Sequence, residues 1–282
     1  MNMHVPETTL RGAVGAPEPV TWIDAAGSRL AVMRRGKGSP VICLHAIGHG
    51  ARDFVPLAER IGERFEVVAL DWPGQGRSPA DGGAPDPAHY SRLVLGAMDA
   101  LGIEKAILLG NSIGGATALR FAAGHPDRVT ALVLCNTGGL AELTPFARFI
   151  IKRFAAFFRA GENGKAWFAR AFRIYYSSVL KRAPEQRARI VASGYEIAGV
   201  LRAAWEGFAK PEADIRSLAP KVACPVWIGW AKDDRIIAWS RCKAAAQALP
   251  NVKIEMFEGG HAAFLEDPNN FAKGFLAFAE GL

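Results

Sequence analysis

Leu109-Gly110-Asn111-Ser112-Ile113-Gly114-Gly115 is the stretch from which the rest of the chain is read. Lys105 to Asn111 is apolar enough for a buried strand and Ile113 to Gly124 has a helical pattern, which puts Ser112 at the turn between them. Glycines two residues to either side permit close backbone approach, and such a turn presents the serine hydroxyl at the carboxyl edge of a sheet. The bare Gly-x-Ser-x-Gly pattern is weak. With 30 glycines and 10 serines among 282 residues it arises by chance in about one such chain in ten. The strand before it and the helix after it carry the weight.

Outward from Ser112, short apolar runs alternate with helical patterns from Pro40 to Asn136, as repeated βα units of a parallel sheet require. Strands are expected at Val41 to His45, Phe65 to Asp71, Lys105 to Asn111 and Val129 to Asn136. Helices are expected near Arg52 to Arg64, Asp86 to Leu101 and Ile113 to Gly124. Upstream, Val20 to Asp24 and Arg29 to Arg34 flank Ala26-Gly27-Ser28 and predict an antiparallel hairpin at the sheet edge. After Pro220 the alternation resumes, with strands near Pro225 to Trp230 and Val252 to Phe257 and helices near Ala238 to Ala248 and Pro268 to Glu280. The fold class is α/β, a mostly parallel sheet flanked by helices. Residues 1–18 read as an N-terminal extension, 19–137 and 219–282 as the core, and 138–218 as a helical insert.

The insert carries Phe146, Phe149, Ile150, Phe154, Phe157 and Phe158 at spacings of three and four. That stripe predicts a helix face buried against the body or turned toward Ser112. Between Phe146 and Ile190 there are eleven Lys and Arg against Glu162 and Glu185, a local net of +9 within an overall +7. The outside of amphipathic helices accounts for such charge; the sharper reading turns Arg148, Arg159, Arg170 or Arg173 inward to hold an anionic group. Nucleic acid is not an expected partner, because no recognised binding motif accompanies the charge.

A serine hydroxyl is a weak nucleophile and needs a base, which itself needs an orienting acid. Both are expected on loops at the carboxyl ends of later strands. Trp230-Ala231-Lys232-Asp233-Asp234-Arg235 follows the first strand after the insert, and Glu258-Gly259-Gly260-His261 follows the last. His261 is the expected base. Asp233 and Asp234 compete for the acid, with Asp234 preferred.

With these residues in place, the chain resembles the α/β-hydrolase superfamily over about residues 20 to 282. His45-Ala46-Ile47-Gly48 resembles the family's oxyanion loop, and Asp71-Trp72-Pro73-Gly74-Gln75-Gly76-Arg77-Ser78 its Asp-x-Pro-Gly-x-Gly-x-Ser segment. The resemblance implies an eight-stranded type of sheet, an insert acting as a cap, and Ser112, Asp234 and His261 as a triad. It also implies an oxyanion hole from the N–H groups of Ile47 and Ile113. Ala46 stands where the family usually has glycine, which makes Ile113 the firmer donor. His45 and Asp71 are structural by the same resemblance. His49, Asn111, Phe149, Arg170 and Ala262 are candidate pocket residues.

Serine at position 112 separates the chain from dehalogenases and epoxide hydrolases, which resemble it but use aspartate there. Gly110 to Leu119 most resembles hydrolases that cleave carbon–carbon bonds in ring-cleavage products, yet Ala262 replaces their usual tryptophan. A small-molecule ester or lactone is the preferred substrate, anionic or aromatic in character. Carbon–carbon hydrolysis is the alternative, and a non-catalytic ligand-binding protein on the same scaffold is the alternative of another class. No cofactor or metal is expected, since Cys43, Cys135, Cys224 and Cys242 form no Cys-x-x-Cys pair and no histidine has metal-like spacing. Buried thiols, no secretory core and no apolar run near the roughly 20 residues that span a bilayer place the expectation in the cytoplasm. Self-association as a homo-oligomer is left open.

Overall fold

The computed structural model describes residues 20–282; the expected N-terminal extension lies outside them. Strands β1 (Thr21–Ala25) and β2 (Ser28–Arg35) form the hairpin. Ala25 pairs with Ser28, so the turn is Ala26-Gly27, with φ of 48° and 85°. Positive φ at both central residues is what a two-residue turn of matching twist demands.

Next come β3 (Ser39–Leu44), α1 (Val55–Ile61), β4 (Phe65–Leu70), α2 (Pro87–Ala100), β5 (Ala106–Asn111), α3 (Ile113–Gly124) and β6 (Val129–Cys135). Four helices follow before the sheet continues: α4 (Pro145–Glu162), α5 (Trp167–Val179), α6 (Pro184–Ala192) and α7 (Ala198–Phe208). The chain ends with β7 (Val226–Ala231), α8 (Trp239–Gln247), β8 (Val252–Phe257), α9 (Ala263–Glu266) and α10 (Pro268–Ala279). The sheet has eight strands in the order β1-β2-β4-β3-β5-β6-β7-β8. The two pairings that involve β2 are antiparallel and the other five are parallel.

Every residue of β5 and β7 is buried, as expected of strands covered on both faces. Helix starts follow local chemistry. Asp86 accepts the Ala88 and His89 N–H groups ahead of Pro87, and Thr144 accepts that of Ala147 ahead of Pro145.

Two differences from the expected elements have local causes. The helix anticipated from Arg52 opens as a 3-10 turn, Ala51–Phe54, because the Asp71 carboxylate holds the Ala51 N–H at 2.7 Å; α1 begins only beside Pro56. After β8, the short α9 precedes Pro268 where an open loop was expected.

The aromatic stripe is also corrected. Phe154 stacks on Trp205 of α7 (4.4 Å between ring centroids), and Phe158 meets Phe172 and Tyr175 of α5 edge-on. The stripe builds a core within the four helices themselves. Phe146 and Phe149, at its other end, are exposed.

Candidate active site

The turn from β5 to α3 holds Ser112 at φ 57°, ψ −116°, a region that L-residues avoid and that stores strain. The surroundings enforce it. The Ser112 N–H donates to the Cys135 carbonyl (3.1 Å), while its own carbonyl accepts from Ala116 and Gly138 (3.0 Å each). Gly114 brings the start of α3 against the end of β3, where any Cβ would collide with the Leu44 carbonyl. The serine is buried, at 8% exposure.

Asp234, after β7, and His261, after β8, meet beside it. His261 Nδ1 lies 2.8 Å from Asp234 Oδ2. A carboxylate can only accept, so Nδ1 is the donor of this bond, and in a neutral imidazole the acceptor nitrogen is then Nε2. Asp234 Oδ1 takes the N–H groups of Ile236 (2.7 Å) and Ile237 (3.0 Å), and Oδ2 also takes Asn136 Nδ2 (2.8 Å). Four donors on one carboxylate fix its orientation. The Asp234 side chain is 1% exposed and that of Asp233 53%; Asp233 points instead toward Lys181, 3.8 Å away. Among the described residues the Ser112 hydroxyl makes no hydrogen bond to His261, a contact that in unliganded sites is often long and tightens with substrate.

The His45 to His49 segment approaches from β3. His45 is engaged on both nitrogens, Nδ1 with the Ala46 carbonyl (2.7 Å) and Nε2 with the Trp72 N–H (3.0 Å), and burial lowers its pKa, keeping it neutral. The Gly48 N–H goes to Gln75 Oε1 (2.7 Å) and the His49 N–H to the Ala46 carbonyl (3.1 Å). Positive φ falls on Gly48, at 77°, so Ala46 carries no such strain. Among the described residues no acceptor faces the N–H of Ile47 or of Ile113. Ile113 follows the serine directly, and Ile47 lies in the loop after β3, whose last residue Leu44 packs against Gly114.

Next to this loop, His49 Nδ1 meets Asp53 Oδ2 at 2.5 Å, and the other Asp53 oxygen is paired with Arg189 of α6. Burial would raise the Asp53 carboxyl, but His49 and Arg189 together hold it below the ordinary range. Burial pushes the Cys135 and Cys242 thiols up to about 12, which keeps them protonated and unreactive. Among the described residues no three His, Cys, Asp or Glu side chains cluster as a metal site would need.

A family model described as the alpha/beta hydrolase fold matches residues 39–268. The chain belongs to that family. Among its relatives is the 2-hydroxy-6-oxononadienedioate/2-hydroxy-6-oxononatrienedioate hydrolase 1 of Dechloromonas aromatica, 28% identical over 84% of this chain and 86% of the relative. Among solved structures, the enol-lactonase from Burkholderia xenovorans LB400 superposes with a TM-score of 0.78 at 23% identity, covering 92% of this chain and 100% of its own. A thermophilic esterase from Thermogutta terrifontis gives 0.79 at 23% identity, covering 93% and 98%.

Within this alpha/beta hydrolase, the structure gathers Ser112, Asp234, His261, Ile47 and Ile113 at the carboxyl edge of the sheet. The pocket expectations fare differently. Asn111 supports the backbone, its Nδ2 donating to the carbonyls of Cys135 (3.0 Å) and His261 (2.9 Å). Ala262 is fully buried, its carbonyl accepting the N–H groups of Leu265 and Glu266. His49 is buried and hydrogen-bonded to Asp53. Phe149, 58% exposed, and Arg170 are surface residues, not enclosed with the buried serine.

Of the four arginines that were candidates for an inward turn, none is seen to reach the buried serine, in keeping with the outer-face reading of the charge. Arg148 donates to the Ala209 carbonyl (2.9 Å), Arg159 pairs with Glu206 (2.6 Å), and Arg170 and Arg173 are exposed. Arg189, which pattern did not single out, is the cation that reaches the core. Asn136 was likewise missed; an asparagine closing a strand, where it can adopt positive φ (43° here), was the available signal.

Proposed function

We propose that this alpha/beta hydrolase cleaves a small-molecule ester or lactone through an acyl-enzyme, with Ser112 as nucleophile, His261 as base and Asp234 as orienting acid. The observation that carries the reading is the buried His261–Asp234 hydrogen bond of 2.8 Å, which fixes the tautomer able to take a proton from a serine. Ser112 Oγ attacks the carbonyl carbon as its proton passes to His261 Nε2. The oxyanion that forms accepts the N–H groups of Ile47 and Ile113. Collapse expels the alkoxide, which takes the proton from the imidazolium. Water, deprotonated by the same histidine, then attacks the acyl carbon and restores the serine.

The four helices between β6 and β7 act in this reading as a cap. Gly48 sits under Leu201 and Ile197 at the start of α7, so the insert covers the oxyanion loop. Four free cysteines among the described residues fit a reducing compartment such as the cytoplasm.

A fluorophosphonate probe tests the nucleophile, since a ligand-binding scaffold without a reactive serine would not be modified at Ser112. Substrate class is read from a panel of acyl esters of graded length, lactones and a dienone ring-cleavage product. Hydrolysis of the dienone alone would favour carbon–carbon cleavage, the second reading, which the Dechloromonas relative supports by its name.

A further inference from the structure

The histidine loop is held by the insert as well as by the sheet. The His261 N–H donates to the carbonyl of Val179, the last residue of α5, at 2.8 Å. Beside this bond lies Glu266 of α9, a buried carboxylate that the catalytic reading leaves without a task. Its Oε1 accepts the Gly260 N–H at 2.7 Å, and its Oε2 accepts the N–H groups of Lys181 at 2.6 Å and Arg182 at 2.8 Å. Lys181 Nζ in turn reaches the Asp233 carbonyl at 3.2 Å.

The link 179–182 thus touches the residue before the base and the residue before the acid. The approach is close: a Cβ on Gly260 would collide with the Val179 carbonyl and lie 3.1 Å from Glu266 Oε1. A buried carboxylate is costly unless its lone pairs are filled, and bonds to an ionised acceptor are about twice as strong as neutral ones. Here the donors come from two separate segments. Neither segment satisfies the carboxylate alone, so the bonds favour the state in which insert and histidine loop are docked together.

We infer that Glu266 is a positioning residue: it clamps the insert's 179–182 link to Gly260 and thereby sets where the His261 imidazole stands relative to Ser112. The base is then in register only while the insert is seated. This rests on the reading of Ser112, His261 and Asp234 as the reacting groups.

Glu266→Gln tests it, because the amide keeps the volume but must turn its NH₂ toward at least one of three N–H donors, releasing one segment. Two quantities are measured on the full chain: the second-order rate of Ser112 modification by a fluorophosphonate, and the downfield proton resonance of the His261 Nδ1–H facing Asp234. The expected result is modification about 10- to 100-fold slower, the scale of a misplacement near 1 Å, with the resonance shifted or broadened. Glu266→Asp, which keeps the charge but shortens its reach, should fall between the two. Modification of Glu266→Gln at the wild-type rate with an unchanged resonance would overturn the positioning role and leave the serine-hydrolase reading intact. No modification of Ser112 in the wild type would overturn both. If Glu266→Gln fails to fold, Glu266→Asp decides: an intermediate rate with a moved resonance supports the clamp, and wild-type values for both overturn it.

Discussion

Ser112 occupies a backbone conformation that costs about 1–3 kcal/mol for a residue with a Cβ, and its neighbours hold it there. Two substitutions separate chemistry from strain. Ser112→Ala should stay folded and lose about 10³- to 10⁶-fold in turnover. Ser112→Gly should be as inactive but more stable than the alanine variant by about 1 kcal/mol, since glycine tolerates positive φ at some entropic cost; thermal melting of both proteins checks this. A second comparison concerns the adjacent carboxylates. Asp234→Asn should reduce kcat far more than Asp233→Asn, because only Asp234 faces the imidazole. The opposite ranking would transfer the acid's role to Asp233. The placement of Ser112 and His261 was legible because each sits in a short local frame, a strand-turn-helix in one case and the loop after the last strand in the other. Asn136 and Glu266 were not. Their contacts reach 98 residues to Asp234 and 85 residues back to Lys181, and no periodicity records such partners.

The sheet elements were readable from sequence to within a residue or two: central strands such as β5 and β7, buried on both faces, are continuous apolar runs, and the edge strands β1 and β8 are short runs bounded by turn residues. The insert was readable as helical but not in its packing. A stripe at spacings of three and four says that a face is covered without saying by what, and here α5 and α7 cover much of it. Another contact between insert and core that pattern could not supply is Arg189 with Asp53, 136 residues apart. Because the Asp53 carboxyl is held below its ordinary range in the fold, its stabilising contribution is complete above the unfolded value of about 3.9 and is lost as pH falls through the lower, folded one. Asp53→Asn should therefore destabilise the protein at pH 7 by about 3–5 kcal/mol, the cost of leaving buried partners unpaired. Urea unfolding at pH 7 and at pH 3 checks the sign: the gap between wild type and variant should narrow at the lower pH.

Over the whole molecule, the net +7 comes from a body with 23 basic and 25 acidic residues and an insert region of eleven basic and two acidic ones. Of those eleven cations, Arg159, Lys181, Arg182 and Arg189 face acidic partners. Lys152, Arg153, Arg170 and Arg173 are exposed, and charges on such a surface are largely screened beyond about 10 Å at 0.1 M salt. Matched neutral and anionic esters should accordingly have similar kcat/KM at 0.1 M salt, with an advantage for the anion only at lower ionic strength. An advantage that persists at high salt would mark a direct contact with a cation instead.

The chain also enters and leaves the insert at one place: the Ile215 N–H donates to the Gly139 carbonyl at 3.0 Å. Beyond Ile215, the 3-10 turn Arg216–Lys221 packs against α3 and α8 and already returns the chain to the start of β7. The parallel crossover from β6 to β7 is therefore complete without the helices between. In topological terms the insert is a cassette. Its helices hold to the core through the 179–182 link, bonded to Glu266, and through Arg189, paired with Asp53, so an exchange of residues 140–214 that leaves the histidine loop in place has to keep those contacts.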